Sequence, residues 1–474
     1  MTALATAPPP RPRHVTPTAA SRAEIDAWTR LGAGAGLGAS LLLVTYWWAA
    51  AGGVQELDGW AAATTSIGRL SGLLASVLLL VQVAMMARIP LLEHAFGQDR
   101  LAHLHRLVGL TSFTLMILHV ATVTIGYAGG SLLATPGTAW DLTITYPGML
   151  LAVAGTAALC MVVVTSVRAA RRRLRYESWH LMHLYAYLGV GLALPHQLWT
   201  GTELVSSPGR TLFWWSAWGA TAAAVVVCRI GLPLMTNLRH RLRVTSVVRE
   251  ADGTSSVYLT GRRLDRLPVQ AGQFFTWRFV EGGLRDSPGW TRAHPYSLSA
   301  APDGRSLRIT VQDVGDGSRT ALALRPGTRA LVEGPYGRLS PRSQSRRKVV
   351  LIGAGVGVTP LRSLAEGLTY GPGQAVLLQR FGREPLFARE LSALTRERGL
   401  EVLHLPGRRR SADSWLGDDV GTADDVSLLT AWVPDIADRE AYVCGPDGWT
   451  DLVRRSLLTA GVPAEQVHVE SFAW

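Results

Sequence analysis

Cysteine is scarce in this chain of 474 residues. There are three, Cys160, Cys228 and Cys444, and no two are close in sequence. That spacing excludes a disulfide framework, a zinc knuckle and a cysteine-ligated iron–sulfur cluster. Lysine is nearly absent too, since almost all of the 47 basic residues are arginine. Residues 1–30 lack an apolar core; they are rich in Pro, Ala and Arg and read as a disordered tail. No clear cleavage site accompanies the first apolar run, which is a full span, so a signal peptide is not expected. Acidic residues number 35, leaving a net charge of +12. A pI near 10.2 is compatible with nucleic acid binding. The arginines, however, flank apolar runs and candidate sites for anionic cofactors, so no nucleic acid partner is expected.

Apolar sequence is abundant. Hydrophobic residues make up 48% of the chain, and the mean hydropathy is +0.17. A membrane part joined to a soluble part accounts for both values. Six stretches, 31–51, 67–88, 104–127, 148–168, 180–200 and 211–235, are long enough to span a bilayer. Arg88 and Arg100 lie between the second and third. Arg168, Arg171, Arg172, Arg173 and Arg175 lie between the fourth and fifth, and Arg239, Arg241 and Arg243 follow the sixth. The alternate loops, Gln55–Asp58 and Tyr127–Tyr146, carry no Lys or Arg. The positive-inside rule therefore predicts a multi-pass protein of the cell membrane, with both termini and the soluble module cytoplasmic.

Two of the apolar stretches each hold a separated pair of histidines. His105 and His119 are 14 residues apart, and His183 and His196 are 13 apart. An ionisable group inside a span is costly and is a functional candidate by default. Fourteen residues bring the first pair within about 40° of one helix face, whereas thirteen leave the second about 140° apart, unless Pro195 kinks or rewinds the helix. Each pair spans roughly 20 Å of helix axis. Two facing helices with such pairs could hold two haems, one above the other, each between imidazoles. His105 and His183 would lie near the inner face, His119 and His196 near the outer. The competing readings are polar histidines at helix contacts, or a metal-transport site, whose ligands should cluster. Arg69, inside the second span near its outer end, either snorkels to the surface or pairs with a propionate of the outer haem.

After residue 237 the pattern changes to short alternating strands near 241–250, 255–262, 273–280, 295–300, 306–313 and 328–334, which predict an antiparallel β-barrel over 238–344. From 345 onward apolar strands at Val349–Ile352, Ala375–Leu378 and Ala441–Cys444 precede helical stretches, an α/β doubly wound domain. Within the barrel, His294, Pro295, Tyr296, Ser297 and Leu298, then Gly315, Asp316, Gly317 and Ser318 at a helix start, are the parts a flavin needs: an aromatic, hydroxyls, backbone amides and a receiver for negative charge. Gly353, Gly355, Gly357, Thr359 and Pro360 follow a buried strand and open a helix, an arrangement that presents amides to a pyrophosphate. Val358 occupies the third glycine position of the usual dinucleotide fingerprint. The next strand ends at Gln379-Arg380 without an acidic residue for a ribose hydroxyl; Arg380 and Arg383 instead favour a 2′-phosphate, hence NADPH over NADH. Cys444, Gly445 and Pro446 end another strand at the ligand-binding edge, and Trp474 ends the chain.

Together these motifs resemble the ferric reductase and NADPH oxidase superfamily over the whole chain after the tail. The resemblance implies bis-histidine ligation of two b-type haems by His105, His183, His119 and His196. It implies FAD on His294-Pro-Tyr-Ser297, NADPH on Gly353–Pro360, and nicotinamide beside Cys444-Gly-Pro446. Trp474 would stack on the flavin. The expected activity carries electrons from cytoplasmic NADPH through FAD and the haems to dioxygen or a ferric chelate outside. A flavin reductase with a haem-free membrane anchor remains the alternative. The oligomeric state is not legible.

Overall fold

The apolar stretches fold as helices. A computed structural model describes residues 19–167, 176–199, 201, 204, 206–280 and 293–472, without the side chains of 19–23, 99, 176, 177, 316 and 317. Residues 1–18, Arg168, Arg171, Arg172, Arg173, Arg175 and Trp474, all used in the sequence analysis, lie outside the described residues. The chain divides into two compact units. One comprises Ala27–Gly231; the other comprises Leu232–Trp474 with the first residues of the chain.

In the first unit the helices are α1 (Ala19–Ala50), α2 (Trp60–Met86), α3 (Pro90–Phe96), α4 (Gln98–Tyr127), α5 (Thr135–Thr145), α6 (Met149–Ser166), α7 (Tyr176–Trp199) and α8 (Pro208–Ala224). A π-helical turn, Val225–Gly231, continues α8. Five segments are long and apolar enough to cross a membrane: Glu24–Ala50, Trp60–Met86, Arg100–Tyr127, Met149–Ser166 and Pro208–His240. The six expected spans thus reduce to five on this measure. The remaining helix, α7, carries His180, His183, His196 and Pro195, which dilute its apolar character.

One local expectation is corrected. Residues 19–30 are not a tail but the first turns of α1, because Ala, Glu and Arg favour helix there. The loop between Tyr127 and Tyr146 contains α5, opened by Pro136 in its first turn.

Small residues let these helices approach closely. A Cβ on Gly68 would lie 2.5 Å from Val123, and one on Gly126 would lie 2.0 Å from Thr65, so α2 and α4 meet nearly backbone to backbone. Gly155 of α6 and Gly189 of α7 make the same kind of contact: a Cβ on Gly155 would lie 2.7 Å from the Gly189 carbonyl oxygen. In lipid, where apolar burial gives helices little reason to associate, such packing is what holds a bundle together.

The second unit begins with α9 (Leu232–His240). Six strands follow: β1 (Arg243–Ala251), β2 (Thr254–Thr260), β3 (Phe274–Val280), β4 (His294–Ser297), β5 (Ser306–Gln312) and β6 (Arg329–Tyr336), with the short helix α10 (Asp316–Leu322) before the last. They form one antiparallel sheet in the order β4-β3-β6-β1-β2-β5. A bridge between Leu298 and Ile309 joins its two edges. Phe275, Trp277, Leu298 and Ile309 fill its interior and are fully buried.

Beyond it, β7 (Val349–Ala354), α11 (Val358–Gly367), β8 (Ala375–Arg380), α12 (Ala388–Arg398), β9 (Glu401–Leu405), α13 (Asp425–Trp432), β10 (Glu440–Pro446), α14 (Asp447–Thr459) and β11 (Val467–Phe472) alternate. The five strands run parallel in the order β11-β10-β7-β8-β9. Every residue of β7 is buried, as expected of a strand covered on both faces. Strands β9 and β11 went unrecognised in the sequence reading. Their mixed polarity, with His404 exposed and Glu470 half-buried, suits the edge positions they hold.

Candidate functional site

Helices α4 and α7 bring the four histidines together in the expected pairs. The ring centroids of His105 and His183 are 6.0 Å apart. Those of His119 and His196 are 6.5 Å apart. The thirteen-residue spacing on α7 is accommodated within a continuous helix that contains Pro195. Proline leaves the turn before it without an amide donor, and the helix runs on through it. Gly148, at φ +78°, starts α6 directly against this point; a Cβ there would lie 2.9 Å from the His196 backbone nitrogen.

The other side of each α4 imidazole is held by α2. His105 Nδ1 lies 3.1 Å from the Gln82 carbonyl oxygen. His119 Nδ1 lies 2.8 Å from that of Gly68. A carbonyl oxygen only accepts, so each Nδ1 carries the proton and donates. Each Nε2 is then left with its lone pair. On α7, His183 Nδ1 is 3.3 Å from Ser166 Oγ, and Trp179 packs on the same imidazole at 5.1 Å between centroids.

This geometry can be compared with what an iron between two imidazoles requires. With metal–nitrogen lengths near 2.0 Å, and a ring nitrogen about 1.1 Å from its centroid, two trans imidazoles have centroids about 6.2 Å apart. The observed 6.0 and 6.5 Å bracket that value. Among the described residues no group of three or more His, Cys, Asp or Glu gathers as a metal site. Paired imidazoles with a planar group between them therefore suit the arrangement better than a clustered transport site.

Arg69 Nη1 sits 2.9 Å from Glu56 Oε2, a carboxylate in the loop before α2 that the sequence pattern does not single out.

In the six-stranded sheet, Tyr296 is buried, and its backbone oxygen accepts from the Trp277 indole at 3.0 Å. Burial pushes its phenol pKa up to about 12, so it stays a neutral donor. The Ser297 hydroxyl is buried and has no hydrogen-bond partner among the described residues. His294 and Pro295 are more open. Leu298 is not available to a ligand: its side chain is fully buried, and its amide donates to the Gln273 carbonyl at 2.9 Å. Ser318 is also committed locally. Its Oγ accepts from the amides of Val314 and Gly315 at 2.9 and 3.0 Å, capping the turn that the sequence reading had offered to a phosphate. Asp316 and Gly317 are described only in backbone, at the start of α10.

The glycine loop joins β7 to α11 through a tight turn, Gly355–Gly357. Gly355 has φ +56° with open space where a Cβ would stand. Gly357 fits against the end of β10: a Cβ there would lie 2.3 Å from the Cys444 carbonyl oxygen. Gly353 admits Leu361 in the same way, at 2.8 Å. Thr359 and Pro360 are buried in the first turn of α11. The glycine loop and the Cys444-Gly-Pro446 turn are therefore in backbone contact.

Cys444 itself departs from expectation. Its thiol is wholly buried, and burial raises its pKa well above the ordinary value, so the side chain does not face a ligand. Gly445 is buried as well, so Pro446 is the exposed part of that motif. At the end of β8, Arg380 is half-buried, and its Nε and Nη2 lack hydrogen-bond partners among the described residues. Burial and then the neighbouring Arg409 charge lower its pKa, partly offset by Asp418. Arg383 is exposed nearby in sequence.

Comparison with known proteins agrees with this division. Residues 71–194 match the family model of the ferric reductase like transmembrane component, a span that includes His105, His119 and His183. The chain is 33% identical over 244 residues to the ferredoxin reductase component of 3-ketosteroid-9-alpha-monooxygenase from Rhodococcus rhodochrous, covering 49% of this chain and 64% of that one. It is 30% identical over 214 residues to a flavohemoprotein of Xylella fastidiosa, covering 44% and 51%. The chain thus spans between half and two thirds of these relatives. Among solved structures, the flavohem-like FAD/NAD binding domain of nitric oxide dioxygenase from Vibrio cholerae matches 49% of this chain and 99% of its own, with 24% identity and a TM-score of 0.39. Residues 71–194 are thus similar to a ferric reductase like transmembrane component, and about half of the chain is similar to ferredoxin reductase components.

Proposed function

We propose that this chain is a transmembrane oxidoreductase that moves electrons from cytoplasmic NADPH, by way of FAD and two b-type haems, to an acceptor on the outer side. The paired histidines carry the reading. Two imidazole pairs stand at the spacing an intervening iron needs, and in the α4 member of each Nδ1–H donates to a backbone carbonyl oxygen. Fixing Nδ1–H sets the tautomer and ring angle and leaves Nε2 as the donor to metal. When bound, FAD would supply the passage from a hydride pair to single electrons, and haem iron held by these histidines would supply one-electron transfer.

The remaining residues supply binding and orientation. The Ser297 hydroxyl, buried without a partner among the described residues, and the neutral Tyr296 phenol suit the polar and aromatic sides of a flavin. The turn at Gly355–Gly357 presents amides at the start of α11, where a pyrophosphate is stabilised by the helix dipole. Arg380, held beside Arg409 and short of acceptors, gains most from a 2′-phosphate, which favours NADPH over NADH. The nicotinamide would lie against Gly445 and Pro446. Trp474 would cover the flavin when the nucleotide is absent. Charge bias in the loops places both termini and the soluble module in the cytoplasm, so the His119–His196 pair faces outward. The acceptor is dioxygen, yielding superoxide, or a ferric chelate.

The test is a reduced-minus-oxidised spectrum of purified protein with haem quantified per chain, followed by NADPH turnover with and without superoxide dismutase and with a ferric chelate. Two b-type haems reducible by NADPH support the reading. Flavin reduction without any haem absorbance would replace it by a reductase on a plain membrane anchor.

A further inference from the structure

An ionic cluster of two buried arginines and two half-buried carboxylates ties the six-stranded sheet to the helices of the parallel-sheet half. Arg308 of β5 grips Glu390 of α12 with both ends of its fork, Nη1 to Oε1 at 2.8 Å and Nη2 to Oε2 at 3.0 Å. Arg362 of α11 reaches the same carboxylate at 2.6 Å and Glu366 at 2.7 Å. Both guanidiniums also donate to the Ser299 carbonyl oxygen, at 2.7 and 3.1 Å. Glu366 accepts the Ala301 amide at 2.7 Å. The side chains of Arg308 and Arg362 are 6% and 9% exposed.

A buried ion pair is poor value for stability, because desolvating the charges offsets most of their attraction and apolar residues of similar size would serve as well. What it supplies is direction, since a bidentate fork has one good geometry. The positions it directs matter here. Ser299 lies two residues beyond Ser297, at the end of the tyrosine-bearing strand β4. Arg362 lies two residues beyond Pro360, at the end of the glycine loop. Through Glu390, Arg308 and Arg362, the two ligand-binding segments are tied together by charges that neither segment carries on its ligand side.

We infer that Glu390 is a positioning residue. Its carboxylate, shared by two arginines, sets the angle between the flavin-binding strand and the glycine-loop helix, and so the approach of nicotinamide to flavin. The inference rests on the proposed function for what the two segments bind. In Glu390→Gln the side chain keeps its shape, loses its charge, and leaves two buried guanidiniums facing each other. In the full-length protein in lipid nanodiscs, amide exchange at Ser299–Ala301 and in the first turns of α11 and α12 accelerates, while β7 and β8 exchange as in wild type. Flavin content is unchanged. Stopped-flow reduction of the flavin by NADPH slows about tenfold or more, with half-saturation moved by no more than about twofold, because misplacement by a fraction of an ångström acts on the rate rather than on binding. Arg308→Lys, which keeps the charge but loses the fork, gives an intermediate effect, and replaces Glu390→Gln as the test if that variant does not fold. Wild-type exchange and wild-type flavin reduction in a folded, flavin-loaded variant overturn the inference. So does uniform acceleration of exchange with proportional loss of flavin, which marks a merely structural role. If wild-type protein itself shows no flavin reduction with NADPH, the functional reading fails, while the local exchange data still decide whether Glu390 ties the two segments.

Discussion

A Cβ added to Gly72 of α2 would stand 2.6 Å from His119 Nδ1. The ring of His119 is thus pressed against a glycine one helical turn beyond the residue, Gly68, whose carbonyl it binds. Gly72→Ala cannot keep that hydrogen bond without moving the imidazole. The expected result is loss of about half the haem, with the His105–His183 pair still loaded. A pyridine haemochrome assay per chain checks it, and full haem content would show that the ring has room to give.

His119→Leu and His196→Leu each remove one partner of the outer pair. Both variants should lose one haem and all reduction of external acceptors, while NADPH still reduces the flavin at close to the wild-type rate. Stopped-flow traces at the flavin and haem wavelengths separate the two. Unchanged haem in both variants would refute the ligand assignment.

Replacing Arg380 and Arg383 together by Ala should weaken NADPH and spare NADH. Charge-assisted hydrogen bonds contribute about 1.5–3 kcal/mol each, so the loss of even one should raise the NADPH constant on the order of tenfold to a hundredfold. Equal weakening of both nucleotides would place the 2′-phosphate elsewhere.

Glu390 makes the soluble unit sensitive to acid. Burial opposes its ionisation, but the Arg308 hydrogen bonds and both guanidinium charges outweigh that and hold its pKa below the ordinary value. A depressed carboxylate contributes stability above its unfolded pKa, near 4.3, and loses it as pH falls through the folded value. Thermal melting of wild type should therefore fall below about pH 4, and Glu390→Gln should narrow the gap between neutral and acid melting temperatures. Parallel melting curves for the two proteins across that range would contradict this.

Gly357→Ala should destabilise the parallel-sheet half by roughly 1–3 kcal/mol, because the new methyl meets backbone rather than a movable side chain. Its nearest neighbour would be the Cys444 carbonyl oxygen at 2.3 Å. Denaturant unfolding reads the loss, and nucleotide affinity should fall with it.

Much of this was legible in the sequence because periodicity survives folding. The fourteen-residue spacing of His105 and His119 gives one helix face by arithmetic, and alternating strands outlined the six-stranded sheet. What escaped was set by neighbours distant in the chain. The thirteen-residue pair looked misaligned by the arithmetic of an ideal helix, yet each of its rings reaches a partner on α4. The acceptors for His105 and His119 are main-chain oxygens, which no residue identity announces. Gly68 and Gly72, spaced as in close-packed membrane helices, were a signal that could have pointed to α2 as the supporting helix. Cys444 was placed at a ligand, yet it ends an apolar run, Ala441–Cys444, that already implied burial on both strand faces. Ser318 was offered to a phosphate because the cap it makes on its own turn depends on backbone geometry.

The backbone origin of those acceptors bears on how this protein can change over generations. A hydrogen bond to a side chain can be deleted by a single base change; one to a main-chain carbonyl cannot. Position 82 can drift through many residue types while still presenting the same oxygen to His105, provided α2 stays helical. Position 68 has no such latitude, because any side chain there strikes α4. Of the two imidazole supports, that of His105 is thus buffered against mutation and that of His119 is exposed to it. Inherited loss of function in α2 should accordingly concentrate near Gly68 and Gly72 rather than around Gln82.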